Sequence, residues 1–181
     1  MICPSLTTKR LTLRAHRPAD WEDSLSMWSD PAVVRHIGGA PATAEEVWAR
    51  LMRYAGHWVM LGFGFWLISD TETGAFLGEA GLADFRRQIS PGLGSDPEAG
   101  WALSPWAHGR GYAAEAMTAI LAWADGNLDA PRTVCIIAPE NTPSLTLAEK
   151  LGYRPYADGL YRGDRTIMLE RFRPPVASNQ G

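Results

Sequence analysis

Glu98-Ala99-Gly100-Trp101-Ala102-Leu103-Ser104-Pro105-Trp106-Ala107-His108-Gly109-Arg110-Gly111-Tyr112-Ala113-Ala114-Glu115-Ala116 decides how the rest of the chain is read. It reads as a strand, a turn and the start of a helix. Pro105 ends the strand, because proline has no N–H to give to a ladder. Gly109 and Gly111 open backbone angles closed to other residues and let a ligand come close. From Tyr112 the apolar residues take helical spacing, with Ala113, Met117, Ile120, Leu121 and Ala124 on one face. A helix start behind a glycine turn presents unpaired N–H groups and the positive end of the helix dipole, which suits phosphate. Arg110 and His108 lie in the same turn and add donors. The stretch is a phosphate cradle or a tight turn that resembles one. A Walker loop is excluded, since no Lys followed by Ser or Thr comes after Gly111. The dinucleotide pattern G-x-G-x-x-A fits Gly109 to Ala114, but too little chain follows to build the repeated crossovers of that fold. A nicotinamide-binding oxidoreductase is therefore the second reading.

Composition narrows the class. At 181 residues the chain is expected to form one domain, and 46% hydrophobic with 20% charged residues is ordinary globular composition. A net charge of −3 argues against nucleic acid as the partner, since a basic footprint is missing. Cys3 and Cys135 lack metal-ligand spacing, so no metal is expected and a reducing, cytoplasmic setting is the expectation. No apolar run approaches the ~20 residues of a membrane span, and no signal peptide precedes Lys9-Arg10.

Outward from the central stretch, Met1 to Thr8 reads as a loose tail. Leu11, Leu13 and Ala15 alternate with polar residues as in a half-buried strand. Trp21, Leu25 and Trp28 share one face of a helix stopped by Ser29-Asp30-Pro31, and a short helical piece, residues 32–36, follows. Thr43 and Glu46 form a capping box ahead of a helix striped by Val47, Leu51, Tyr54 and Trp58. His57, beside that stripe, reads as a surface or helix-end residue. Two strands, residues 65–68 and 75–85, form a hairpin around a turn at residues 70–74, and residues 86–97 read as a loop. Val134-Cys135-Ile136-Ile137-Ala138 is the continuous apolar run of a strand buried on both faces. Thr142 with Pro143 behind it reads as a helix start, closed by Gly152. A last hairpin turns at Arg162-Gly163-Asp164, and the Pro-rich end from Arg173 is expected to be disordered.

The order of these elements and four of their segments resemble the GNAT superfamily of acetyl-CoA-dependent N-acetyltransferases, and within it the RimJ/RimL-like branch. Thr8-Lys9-Arg10-Leu11-Thr12-Leu13-Arg14 is similar to that branch's opening strand, and Leu77-Gly78-Glu79-Ala80-Gly81-Leu82 to its central hairpin. Glu98 to Trp101 with Gly109 to Ala113 is similar to the pyrophosphate motif. Asn141 to Ser144 with Glu149 to Tyr153 is similar to the helix motif that follows. The resemblance implies a single α/β domain over residues 6–172, between flexible tails at 1–5 and 173–181. Its sheet would be mixed, mostly antiparallel and twisted, flanked by helices, with one parallel pair splayed for coenzyme A.

It also implies roles. The cosubstrate would be acetyl-CoA, held by Leu103, Ser104, His108, Gly109, Arg110, Gly111, Tyr112, Ala113, Asn141 and Ser144. The acceptor would be an amine on a protein N-terminus or a small molecule, and the protein a monomer or homodimer. The pattern departs from the superfamily at Trp106, where Gln or Arg is usual, and at His108, where the branch has an aromatic residue. The tyrosine that serves many members as general acid falls at Ala148, which leaves Ser144 as the branch's candidate. A backbone N–H near Leu103 would stabilise the oxyanion. Either Glu98 or Glu79, directly or through water, would accept the ammonium proton, with a pKa raised towards the working pH. A non-catalytic acyl-CoA-binding domain is the third reading, favoured by the missing tyrosine.

Overall fold

The computed structural model describes residues 3–175. Met1, Ile2 and residues 176–181 lie outside them, so the expected tails are tested only at their inner ends. The elements are β1 (Leu6–Thr7), β2 (Leu11–Arg14), α1 (Trp21–Trp28), α2 (Pro31–Val34), α3 (Ala44–Leu61), β3 (Phe65–Asp70) and β4 (Phe76–Ala83). They continue with β5 (Ile89–Ser90), β6 (Glu98–Leu103), α4 (Tyr112–Asn127), β7 (Arg132–Ile137), α5 (Thr142–Lys150), β8 (Arg154–Tyr161) and β9 (Asp164–Phe172). The nine strands of the described residues join one sheet in the order β1-β2-β3-β4-β6-β7-β9-β8-β5. Every neighbouring pair is antiparallel except β6 with β7.

Cross-strand partners share a face, so the register sorts the sheet into two sides. Ala80, Leu82, Ala99, Trp101 and Leu103 lie on one side with Cys135 and Ile137. Against that side packs the apolar stripe of α4 (Met117, Ile120, Leu121), joined by Ala148 of α5. Glu79, Gly81, Glu98, Gly100 and Ala102 lie on the other side. There Met27, Trp28, Val47 and Leu51 of α1 and α3 pack on Ala102. Glycine is required at the crowded centre of this second side. A Cβ on Gly81 would stand 2.3 Å from the Gly64 carbonyl oxygen, and one on Gly100 would stand 2.9 Å from the Phe65 ring.

Several local expectations are corrected. Residues 3–8 are not a loose tail. Leu6 and Thr7 pair with Leu13 and Thr12, Cys3 packs on the core, and the Pro4 carbonyl accepts from Trp66 Nε1 at 2.7 Å. Arg173 donates its N–H to Pro131 O at 2.9 Å, so the β7–β9 ladder continues one residue past β9, into the stretch expected to be disordered. The loop 86–97 contains β5, whose Ile89 pairs with Tyr161 at the far end of the sheet. The cap of α5 is Asn141, not Thr142: its side chain accepts from the Ser144 N–H at 3.3 Å, one residue earlier than the pattern suggested. His57 is buried, with Nε2 3.1 Å from the Asp84 carbonyl oxygen. Among the described residues no helix is long and apolar enough to cross a membrane.

Candidate active site

β6 and β7 are six-residue strands, yet they share one paired position, Glu98 with Val134. The Val134 N–H donates to Pro97 O at 3.0 Å just before that point. Beyond it the strands separate, and β6 stays on β4 while β7 stays on β9 for six pairs each. In the β4–β6 ladder the Ser104 N–H donates to Leu77 O at 2.9 Å. Antiparallel alternation then turns the main-chain groups of Trp101 and Leu103 away from β4 and into the gap. Main-chain groups facing a gap need a partner. An extended amide-bearing chain is one that fits, by adding itself as a strand.

The C-terminal end of β6 leads into the turn. Gly109 (φ 72°) and Gly111 (φ 76°) both take left-handed angles, and Gly111 is the N-cap of α4 with no side-chain cap on it. A Cβ at Gly109 would have no atom within 4 Å, so backbone angle rather than crowding by the protein requires glycine there. The first hydrogen bond of α4 runs from Glu115 N–H to Gly111 O (3.1 Å), which leaves the N–H groups of Tyr112, Ala113 and Ala114 outside the helix ladder. This matches the donor set a pyrophosphate needs, so the residues present fit coenzyme A. His108 does something else: its Nε2 lies 2.9 Å from Leu103 O. Since a carbonyl only accepts, that nitrogen carries the proton. The latch occupies the Leu103 carbonyl and leaves its N–H facing the gap.

One functional neighbour was missed in the sequence. Arg10 covers the flank of the cradle, donating to the Arg110 carbonyl at 3.0 Å with its guanidinium 4.5 Å from the Tyr112 ring centroid. Glu115 anchors it, accepting from Arg10 Nε at 2.7 Å, Arg10 N–H at 2.9 Å and Thr8 Oγ1 at 2.6 Å. The Thr8-Lys9-Arg10 segment carried the resemblance, but nothing in its pattern points to a partner 105 positions away.

On the α4–α5 side of the sheet, Trp101 Nε1 donates to Ser144 Oγ at 3.3 Å. An indole N–H can only donate, so this bond fixes Ser144 as acceptor and leaves its own O–H proton free to point elsewhere. Asn141 is occupied as the cap of the same helix. Ala148 is wholly buried in the core and offers no hydroxyl to the gap. Tyr153 is no substitute: it is buried, and its hydroxyl pairs with Thr133 Oγ1 at 2.7 Å.

Both carboxylates lie on the opposite side of the sheet, about four strand residues (~13 Å) apart. Glu79 has no exposed surface. Ser24 Oγ donates to it at 2.7 Å and Trp28 Nε1 at 2.8 Å, with His16 Nε2 3.5 Å away. Burial alone would raise its pKa, but His16, Ser24 and Trp28 outweigh that and hold it below the usual carboxylate range. The expectation of a pKa raised towards neutrality is therefore wrong at Glu79. Glu98 sits where β6 and β7 meet, with both oxygens on Arg87 Nε at 2.9 and 2.7 Å. Beside it opens a cleft of about 190 Å³, lined by Asp84 to Arg87, Gly92 to Gly94 and Asp96. Among the described residues no cluster of three metal-ligating side chains occurs.

Comparison with known proteins places this geometry. The family described as Acetyltransferase (GNAT) domain matches residues 10–154. A structure from Bordetella pertussis assigned to the GNAT family is 37% identical, with a TM-score of 0.81 over 93% of this chain and 99% of that one. An acetyltransferase structure from Agrobacterium tumefaciens str. C58 is 30% identical, with a TM-score of 0.80 over 94% and 95%. YnaD of Bacillus subtilis (strain 168), an uncharacterised N-acetyltransferase, is 28% identical over 154 residues, 82% of each chain. More remote structures share the fold alone. They are a spermidine N-acetyltransferase from Vibrio cholerae in complex with CoA and spermine (16% identical, TM-score 0.72) and RimL, a ribosomal L7/L12 alpha-N-protein acetyltransferase in complex with CoA (14%, 0.76). These likenesses do not favour the nicotinamide reading of Gly109 to Ala114. With a glycine-capped cradle, a splayed parallel pair and a family match over most of its length, the chain belongs to the GNAT acetyltransferases.

Proposed function

We propose that the protein moves an acetyl group from acetyl-CoA to a primary amine by direct attack in a ternary complex. The observation that carries this is the single paired position between β6 and β7, with the Gly111 cradle at the open end of the gap. In this reading the N–H groups of Tyr112 to Ala114, flanked by Arg10 and Arg110, bind the pyrophosphate. The free main-chain groups of Trp101 and Leu103 hold the pantetheine arm and meet the developing oxyanion, a contribution of about 3–4 kcal/mol in comparable sites.

The two sides of the sheet divide the proton work. The amine approaches from the cleft beside Glu98, which orients the ammonium and receives its proton directly or through water. Ser144 stands on the other side, where its free hydroxyl proton meets the departing sulfur. Glu79, already ionised and saturated with donors, fixes α1 against β4 and shapes the acceptor side. The remote relatives act on amines as different as a polyamine and a protein N-terminus, so the family leaves the acceptor open. A cytoplasmic protein without a metal suits two free thiols, Cys3 and Cys135.

The test is calorimetric titration with coenzyme A and with NAD, followed by an amine screen reading thiol release from acetyl-CoA. Coenzyme-A binding with amine-dependent thiol release is the expected result. Binding without release from any amine would leave the non-catalytic acyl-CoA-binding reading. Binding of NAD alone would overturn both.

A further inference from the structure

Besides the face that α3 buries, the helix carries a second apolar stripe that points outward. Trp48, Met52, Ala55 and Val59 recur at i, i+4, i+7 and i+11, with Ala49, Gly56 and Met60 beside them. Trp48 and Met52 are 43% and 45% exposed, and Val59 and Met60 are 74% and 81% exposed. Together they present roughly 500 Å² of apolar surface over three turns, towards the upper end for the largest patch of a monomer. Past the first turn no charge interrupts the stripe. Arg50 is drawn to the Trp28 ring, 3.8 Å from its centroid, and Arg53 to the Phe85 ring at 5.3 Å, each on a flank of the helix. Gly56 lies in the middle of this face. Glycine inside a helix weakens it. A Cβ at Gly56 would meet no atom of the described residues within 4 Å, so none of them requires glycine there. A second helix packed closely on the stripe would.

We infer that the stripe packs on the same stripe of a second copy of this chain, the two α3 helices running antiparallel about a two-fold axis near residues 53–55. A two-fold contact demands a surface complementary to its own reverse. Reversal sets Met52 of each copy over Ala55 and Gly56 of the other, and Trp48 over Val59 and Met60. Large side chains then meet small ones beside the axis, and the helices can approach to about 8 Å. A different partner would place no such condition on the order of large and small residues. Two patches of this size bury about 1,000 Å², the least that a specific interface needs, so the dimer should form in the micromolar range. The inference is independent of the acetyl-transfer reading, since α3 packs on the side of the sheet opposite α4 and its cradle.

Sedimentation velocity across the micromolar range tests it, and a reversible monomer–dimer equilibrium is the expected result. Ala55→Glu sets two carboxylates beside the axis and should weaken the dimer by more than about 100-fold, the effect of burying unpaired charge. Gly56→Leu favours the helix in the free chain yet fills the recess for Met52, and should also dissociate the pair. Circular dichroism and Tm at low concentration record that both variants fold. Mixing Met52→Lys with Ala55→Glu should restore a dimer containing one of each, because those positions face one another across the axis. A monomer at every concentration would overturn the inference and leave the face to a different partner. A dimer that survives both Ala55→Glu and Gly56→Leu would overturn it as well, and so would failure of the mixture to associate.

Discussion

Replacing Ser144 by alanine separates chemistry from structure. Asn141, not Ser144, supplies the capping side chain of α5, and the group it caps is the Ser144 backbone N–H, which alanine keeps. The lost side-chain contact is the single bond from Trp101 Nε1, long at 3.3 Å. A bond of that kind contributes about 0.5–1 kcal/mol, the lower part of the usual range. Stability should therefore fall by no more than about 1 kcal/mol, and coenzyme-A affinity should change by no more than a few-fold. Turnover should fall by about 10²-fold, the low end for a group that donates a proton in the transition state. Trp101→Phe removes the N–H that orients Ser144 and should also slow turnover, by about tenfold if the bond is worth ~1.4 kcal/mol in the transition state. Because Trp101 acts through Ser144, the double variant should be no slower than Ser144→Ala alone. The assay is saturating-rate kinetics by thiol release on all four proteins, with chemical denaturation of each. Normal turnover in Ser144→Ala would exclude Ser144 as the proton donor and leave water in that role. Additive losses in the double variant would refute the link between Trp101 and Ser144.

Three further outcomes follow from the same geometry. Gly111→Val places a branched side chain over the cradle at φ 76°, at a strain of about 1–2 kcal/mol. Its coenzyme-A affinity should fall about 10–150-fold by calorimetry, and more than in Gly111→Ala, which shares the strain but not the bulk. In Glu98→Gln turnover should drop at neutral pH and recover partly at alkaline pH, where free amine is abundant; an unchanged pH–rate profile would clear Glu98 of proton work. Glu79→Ala strands Trp28 Nε1 and Ser24 and should cost about 3–5 kcal/mol, whereas in Glu79→Gln the amide oxygen can face Trp28 and Ser24 can turn to accept, at about 1–2 kcal/mol. The folded-state pKa of Glu79, like those of Asp20 and Glu115, is below its ordinary value, so its stabilisation is complete above the unfolded value near 4.5 and is lost as pH falls further. Tm measured between pH 6 and pH 3 should therefore drop below about pH 4.5, and less so in Glu79→Gln.

The parts legible in the sequence are those that local backbone chemistry dictates. Pro105, Gly109 and Gly111 mark the end of β6 and the cap of α4 because proline and left-handed glycine act on their own positions. The unbroken apolar run in β7 and the stripes of α3 and α4 are local in the same sense. Two-residue strands such as β1 and β5 carry no period to read, so β1 passed for tail and β5 for loop. Asn141 and Thr142 are both good caps, and only the fold decided between them. The site itself is built from long-range contacts that spacing does not encode: Trp101 to Ser144 across 43 positions, Arg10 to Glu115 across 105, Glu79 to Trp28 across 51. The pKa expectation for Glu79 failed for that reason. Position on a central strand showed in the pattern, but the donors waiting there did not.

In the proposed mechanism acetyl passes directly from coenzyme A, lying between β6 and β7, to an amine on the Glu98 side. Initial rates against both substrates, with mass spectrometry of protein and products, measure this most directly. Direct transfer predicts converging double-reciprocal lines, one N-acetylated product for each free thiol, and no acetyl group left on the protein. Parallel lines with an acetylated protein, or thiol release without N-acetylated product, would contradict it.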